Sequence, residues 1–105
     1  MKKIEATIPL SKLNEVQDAL EIIGIDEMTV CEVKGFSRQN RHREIYRGQE
    51  HTINFLPMAK IDLVVADQNA DAAVKVLIRS ARTGATGDGK VLISDVKEAS
   101  YGLSV

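Results

Sequence analysis

Residues 83–91 read Thr-Gly-Ala-Thr-Gly-Asp-Gly-Lys-Val, which places three glycines, an aspartate and a lysine within nine positions. Glycines at such spacing let successive backbone N–H groups turn towards one anion, because no Cβ stands in the way. Lys90 adds a compact positive charge. Asp88 can order the loop, accept a hydrogen bond from a ribose hydroxyl or face a hydrated ion such as Mg. Arg79 and Arg82 precede the stretch closely. The glycine spacing is not that of the P-loop, and a strand rather than a helix should follow. The same residues would also serve as a helix stop and a turn into a strand, so both readings stay open on composition.

A second cluster spans residues 37–52, SRQNRHREIYRGQEHT, where Arg38, Arg41, Arg43 and Arg47 stand against Glu44 and Glu50. It is too polar for a core and reads as an exposed, mobile connection suited to contacting a partner. Arginines interleaved with aromatics would favour RNA, but Tyr46 is the one aromatic there. The chain's formal charge of -1 argues against a general nucleic-acid binder. His42 and His51 are the two histidines and lack metal-ligand spacing, so no zinc site is expected. Cys31 is the single cysteine; it cannot form an internal disulfide, and mid-strand it reads as a buried spectator. No nucleophile context and no carboxylate pair stands out. The expectation is a binding module, not an enzyme.

The elements that must position these clusters follow from hydrophobic period. In residues 3–8, Ile4, Ala6 and Ile8 alternate with Lys3, Glu5 and Thr7, the pattern of a half-buried strand. A helix should follow, capped by Ser11, with Leu13, Val16, Leu20 and Ile23 on one face and Gly24 as its stop. Residues 28–36 form a second strand. Residues 60–65, KIDLVV, form a third and more central one. The next helix, capped by Asp67 or Asn69, buries Ala70, Ala73, Val74, Leu77, Ile78 and Ala81 and ends near Arg82 and Gly84. Residues 91–96 form the last strand. The order predicts a ferredoxin-like βαββαβ domain over residues 1–105: a four-stranded antiparallel sheet with both helices on one face. Further copies of the chain would cover the other face. The N-terminal stretch does not read as a signal peptide and no window is long and apolar enough for a membrane span, so a cytoplasmic address without membrane insertion is expected.

The motifs together resemble the PII signal transduction proteins, the nitrogen regulatory protein P-II family. The resemblance rests on EVKGF (32–36), Arg38-Gln39, EIYRG (44–48), NFLP (54–57) and ARTGATGDGKV (81–91), and runs to about residue 98. It implies a homotrimer that binds ATP or ADP, with AMP a further candidate, in clefts between subunits. Gly87, Asp88, Gly89 and Lys90 would hold the phosphates with Arg38. Thr29, Gly35, Phe36 and Val64 would line the adenine and ribose, with Ser37 and Gln39 beside them. The long loop, residues 37–55, would dock on a transporter or metabolic enzyme through Arg41, His42, Arg43, Tyr46, Arg47 and His51, recruiting the protein to the membrane when the target is a transporter.

Departures from the family pattern qualify that reading. His51 stands at the loop position often uridylylated on tyrosine, and imidazole has no phenolic hydroxyl to modify. Met58 stands where the family's 2-oxoglutarate response uses a lysine, and a thioether cannot pair with a dicarboxylate; Lys60, two residues on, is a poor substitute. Tyr101 and Leu103 replace two phosphate-reaching arginines, which should weaken triphosphate binding most. These differences suggest a divergent PII-like branch, with alternatives of a sensor linked to bicarbonate or metal transport, or an interaction adaptor insensitive to nucleotide.

Overall fold

The computed structural model describes residues 1–36, 55–84 and 89–97, together with the backbone of residues 42–46 and 49–53. Strand β1 (Lys2–Pro9) leads through a 3-10 turn (Leu10–Lys12) into helix α1 (Leu13–Ile22) and then strand β2 (Thr29–Phe36). Strands β3 (His42–Tyr46) and β4 (Gln49–Ile53) come next, followed by β5 (Phe55–Val65), helix α2 (Asp67–Ala81) and β6 (Lys90–Asp95). The main sheet has the order β2-β5-β1-β6, antiparallel throughout. This is the expected ferredoxin-like arrangement.

The strict alternation of β1 places Ile4, Ala6 and Ile8 under the helices, each almost inaccessible. Register carries that face across the sheet: Ile4 lies opposite Leu63 and Ile93, and Ala6 opposite Ile61 and Val91. Val16 and Leu20 of α1 and Ala70, Ala73, Leu77 and Ala81 of α2 close the core from above. The alanines let α2 approach the sheet closely; the helix ends after Ala81, where Arg82 turns extended, and Gly84 further on takes a left-handed φ of 84°.

Several local expectations need correction. Ser11 makes no cap; it lies exposed in the 3-10 turn, and no side chain caps α1. Neither Asp67 nor Asn69 caps α2, whose N-cap is Ala66; Asp67 instead pairs with the Met1 amino group at 2.8 Å. That carboxylate is held below its usual value by this hydrogen bond and charge. Ile23 and Ile78 are exposed rather than core: Ile23 lies past the end of α1 as its C-cap, and Ile78 stands on the flank of α2 beside the gap to β6. Cys31 is exposed, not buried, because it points to the side of β2 away from the helices, opposite Lys60. The connection 37–55 is not wholly irregular: β3 and β4 form an antiparallel ladder, His42 opposite Ile53 and Tyr46 opposite Gln49, and Phe55 already belongs to β5. The polarity of this stretch masked its strand periodicity.

Candidate functional site

The face of the sheet away from the helices carries the chemistry. Three rows cross it in register. Cys31, Lys60, Thr7 and Lys90 form one, and Thr29, Asp62, Glu5 and Leu92 the next. Lys3, Val64 and Ser94 form the third. Lys3 and Glu5 pair at 2.9 Å. The Lys3 ammonium holds the Glu5 carboxyl below its usual range, with Lys60 and Lys90 adding to the effect, and Glu5 in turn raises Lys3.

At the β6 edge, Gly89 has φ of 115°, and a Cβ there would stand 1.8 Å from the carbonyl oxygen of Thr7. Only glycine allows the chain to enter β6 this close to β1. That contact fixes where Lys90 begins the strand, exposed beside Thr7. Gly89 and Lys90 also border a mostly apolar cavity of about 350 Å³ between α2 and β6, whose walls include Leu77, Ile78, Arg82 and Ile93.

At the opposite edge, Thr29, Asp62 and Val64 share a pocket of about 290 Å³ with Lys3, Glu27 and Met28. One carboxylate oxygen of Asp62, Oδ1, is buried without a hydrogen-bond partner among the described residues. An orphaned acceptor of this kind costs free energy until a donor reaches it. A ligand hydroxyl or amino group reaching this pocket would supply the donor that Oδ1 lacks. Asp62, Glu27, Met28 and Lys3 were not singled out from sequence. The signal available was an acid inside the otherwise apolar run KIDLVV.

Gly35 and Phe36 close the end of β2. Phe36 lies opposite Phe55, with ring centroids 5.7 Å apart at 48°. The two rings pair where the chain leaves and re-enters the sheet around the long loop. A Cβ on Gly35 would stand 2.7 Å from Met58 Cγ, and Met58 is buried. The thioether therefore packs into space that Gly35 leaves open. No cation takes that position, and Lys60 lies one residue pair further along the same face.

Among the expected site residues, the structure thus brings Thr29 and Val64 together, and Gly89 with Lys90, while Gly35 and Phe36 stand at the loop base. Ser37, Arg38, Gln39, Arg41, Arg47, Gly87 and Asp88 lie outside the described residues, as do Tyr101 and Leu103; for His42, Arg43, Tyr46 and His51 only the backbone is described. Among the described residues no cluster of three or more metal-ligating side chains occurs, and no helix is long and apolar enough to cross a membrane.

A ferredoxin-like sheet with a glycine-lysine strand entry and a long β2–β5 connection is the class of small domain that these residues build. The chain belongs to the nitrogen regulatory protein P-II family, whose sequence model matches residues 1–101. It is 49% identical over 98 residues to the nitrogen regulatory protein P-II of Rhizobium meliloti, covering 93% of this chain and 88% of that one. It is 52% identical over 96 residues to the P-II protein of Klebsiella oxytoca (91% of this chain, 86% of that one) and to the P-II 1 protein of Escherichia coli, with the same coverage. Such identity across nine-tenths of the chain overturns the expectation of a divergent branch. His51 and Met58 are variations within the family itself, and the link to bicarbonate or metal transport, which rested on that divergence, loses its support. Membership makes the chain a signal-transduction regulator rather than an enzyme.

Proposed function

We propose that this chain, a single P-II domain over residues 1–105, senses adenine nucleotides in clefts between neighbouring copies and passes the result to a target through loop 37–55. The carrying observation is the separation of two half-sites on one sheet. Gly89 and Lys90 lie at the β6 edge, and the Thr29–Asp62–Val64 pocket at the β2 edge. Three strand spacings, roughly 14 Å, divide those edges, and side chains of β1 and β5 fill the surface between. Two copies meeting edge to edge bring one half-site of each to the same ligand. A closed ring of three such copies uses every edge.

In this reading Lys90 and the N–H groups of Gly87, Asp88 and Gly89 hold the phosphates of ATP, ADP or AMP with Arg38, and Asp88 is the group placed to face Mg. Thr29, Asp62 and Val64 of the neighbour take the adenosine. Gly35, Phe36, Ser37 and Gln39 sit where the nucleotide can bias the loop, because they join β2 to it. Nucleotide shifts the loop only by binding its conformers unequally. The loop then presents Arg41, His42, Arg43, Tyr46, Arg47 and His51 to a transporter or metabolic enzyme in the cytoplasm. The packing of Met58 against Gly35 leaves no cation for a dicarboxylate, so 2-oxoglutarate should bind weakly at most.

Titration calorimetry with ATP, ADP and AMP on the parent and on Lys90→Ala tests this. Heat with at least one nucleotide, lost in the variant, is expected. Absence of heat with all three, at protein well above micromolar, would mean an adaptor insensitive to nucleotide instead.

A further inference from the structure

The two helices form one outer surface, and its charges are divided. Lys75 and Arg79 on α2 and Arg82, just past its end, are all exposed. At 3.6 residues per turn Lys75 and Arg79 fall on the side opposite the buried row Ala70, Ala73, Leu77 and Ala81, while Arg82 follows the helix end and also borders the cavity towards β6. No ion pair ties any of the three to a described residue. With Ile78, itself 43% exposed, they line a shallow depression of about 340 Å³. On α1, Glu15, Asp18 and Glu21 are likewise exposed, opposite the buried Val16 and Leu20. Ile22 beside them is 85% exposed. Among the described residues, Glu15 alone of these acids has an ion-pair partner, Lys12 at 3.4 Å.

The placement of the stripes is as telling as their signs. Each helix follows one of two antiparallel strands, β1 and β5, and returns along the same face, so α1 and α2 pack antiparallel. The start of α1, with Glu15, then lies level with the end of α2, with Arg82. Lys75 and Arg79 stand about 6 Å apart along the axis, with Arg82 just beyond them, and the acids span about 9 Å. A two-fold axis parallel to the helices lays α1 of one copy on α2 of the other and keeps these levels. Glu15 then meets Arg82, Asp18 meets Arg79 and Glu21 meets Lys75, and the symmetry repeats the set.

We infer that this outer helical surface is a self-complementary contact, and that its occupant is the same surface of a second copy of this chain. Charge sets the register, while Ile22 and Ile78 provide exposed apolar area at the contact's margin. The contact uses neither sheet edge, so it can join assemblies already built through those edges. Screening weakens it, because every pair stays near solvent.

Sedimentation velocity of the full chain across a protein concentration series, at low and at high salt, tests the inference. At low salt the mass should rise with concentration to at least twice that of the basal unit, and high salt should return it to basal. Arg79→Glu/Arg82→Glu makes both stripes acidic, and Asp18→Lys/Glu21→Lys makes both basic. Each variant alone should remain basal at low salt, and a 1:1 mixture should associate again. Circular dichroism and the corresponding glutamine variants, also expected to stay basal, separate loss of contact from loss of fold. A parent whose mass ignores salt and concentration overturns the inference, as does a mixture that stays basal. Binding of polyglutamate to the parent without self-association would assign the cationic stripe to a foreign acidic partner and equally overturn it.

Discussion

The two faces of the sheet are built from alternate residues of the same strands, yet they solve opposite problems. Under the helices, Ile4, Ala6, Ile8, Ile61 and Leu63 form a closed apolar layer with no buried polar residue among those described. On the open face, Glu5 lies opposite Asp62, like charges across a ladder, and Asp62 keeps an unpaired oxygen. Leu92 and Val64 remain exposed there. One face is satisfied within a single chain. The other is left incomplete, and the described residues proposed to meet nucleotide and neighbouring copies lie on it or along its rim. Stability and recognition are thereby separated by a period of two residues.

Substitutions on each face should therefore fail differently. Leu77→Ala opens a void in the closed layer and should cost about 2–5 kcal/mol, read as a lower urea midpoint. A cost near zero would mean that α2 is not held by this core. Lys90→Ala should leave the urea midpoint unchanged and lower nucleotide affinity by about 10–100-fold, the worth of a hydrogen bond to a charged group. Calorimetry giving the parent's affinity would move the phosphate site away from β6. Asp62→Asn sharpens the comparison most. Removing the like-charge opposition to Glu5 should stabilise the ligand-free protein by about 0.2–1 kcal/mol while weakening nucleotide binding. A destabilised variant would show that the acid is already satisfied.

The smallest expected effect is with pH. Glu5 and Asp67 are held below their ordinary values of 4.5 and 3.8 by Lys3 and by the Met1 amino group. Their contribution is fully present above those values and is lost as pH falls through the depressed folded ones. Thermal melts should therefore hold steady down to about pH 4.5 on this account and drop as pH falls further, and Asp67→Asn should drop less. For Lys3, raised above 10.5 by Glu5, the contribution holds below that value and fades as pH rises through the higher folded one.

Most of the fold was legible because each amphipathic element repeats its period several times. Ile4, Ala6 and Ile8 cannot alternate with Lys3, Glu5 and Thr7 and mean anything but a half-covered strand. The β3–β4 ladder was not legible, since Arg43, Glu44, His51 and Thr52 carry no apolar alternation. Cys31 was misplaced for a related reason: period tells that residues 31 and 32 point oppositely, not which side the helices cover. The glycine-lysine motif was visible at once, yet its use of Gly89 to approach Thr7 is a contact across strands 82 positions apart in the chain. Asp62 went unnoticed because its meaning lies in what surrounds it.

Sequence by itself determined the period of the four sheet strands and two helices, the residues able to form a core, the glycine-rich entry to β6 and the motifs shared with the P-II family. These are local, carried by neighbours one to four positions apart. Tertiary structure alone decided which rows meet across the open face, that Gly89 with Lys90 and the Thr29–Asp62–Val64 pocket stand at opposite edges, and that the acids of α1 and the cations of α2 share one outer surface. Register and helix direction are collective: they follow from burying one shared core, and a strand slipped by one residue would turn every side chain to the other face.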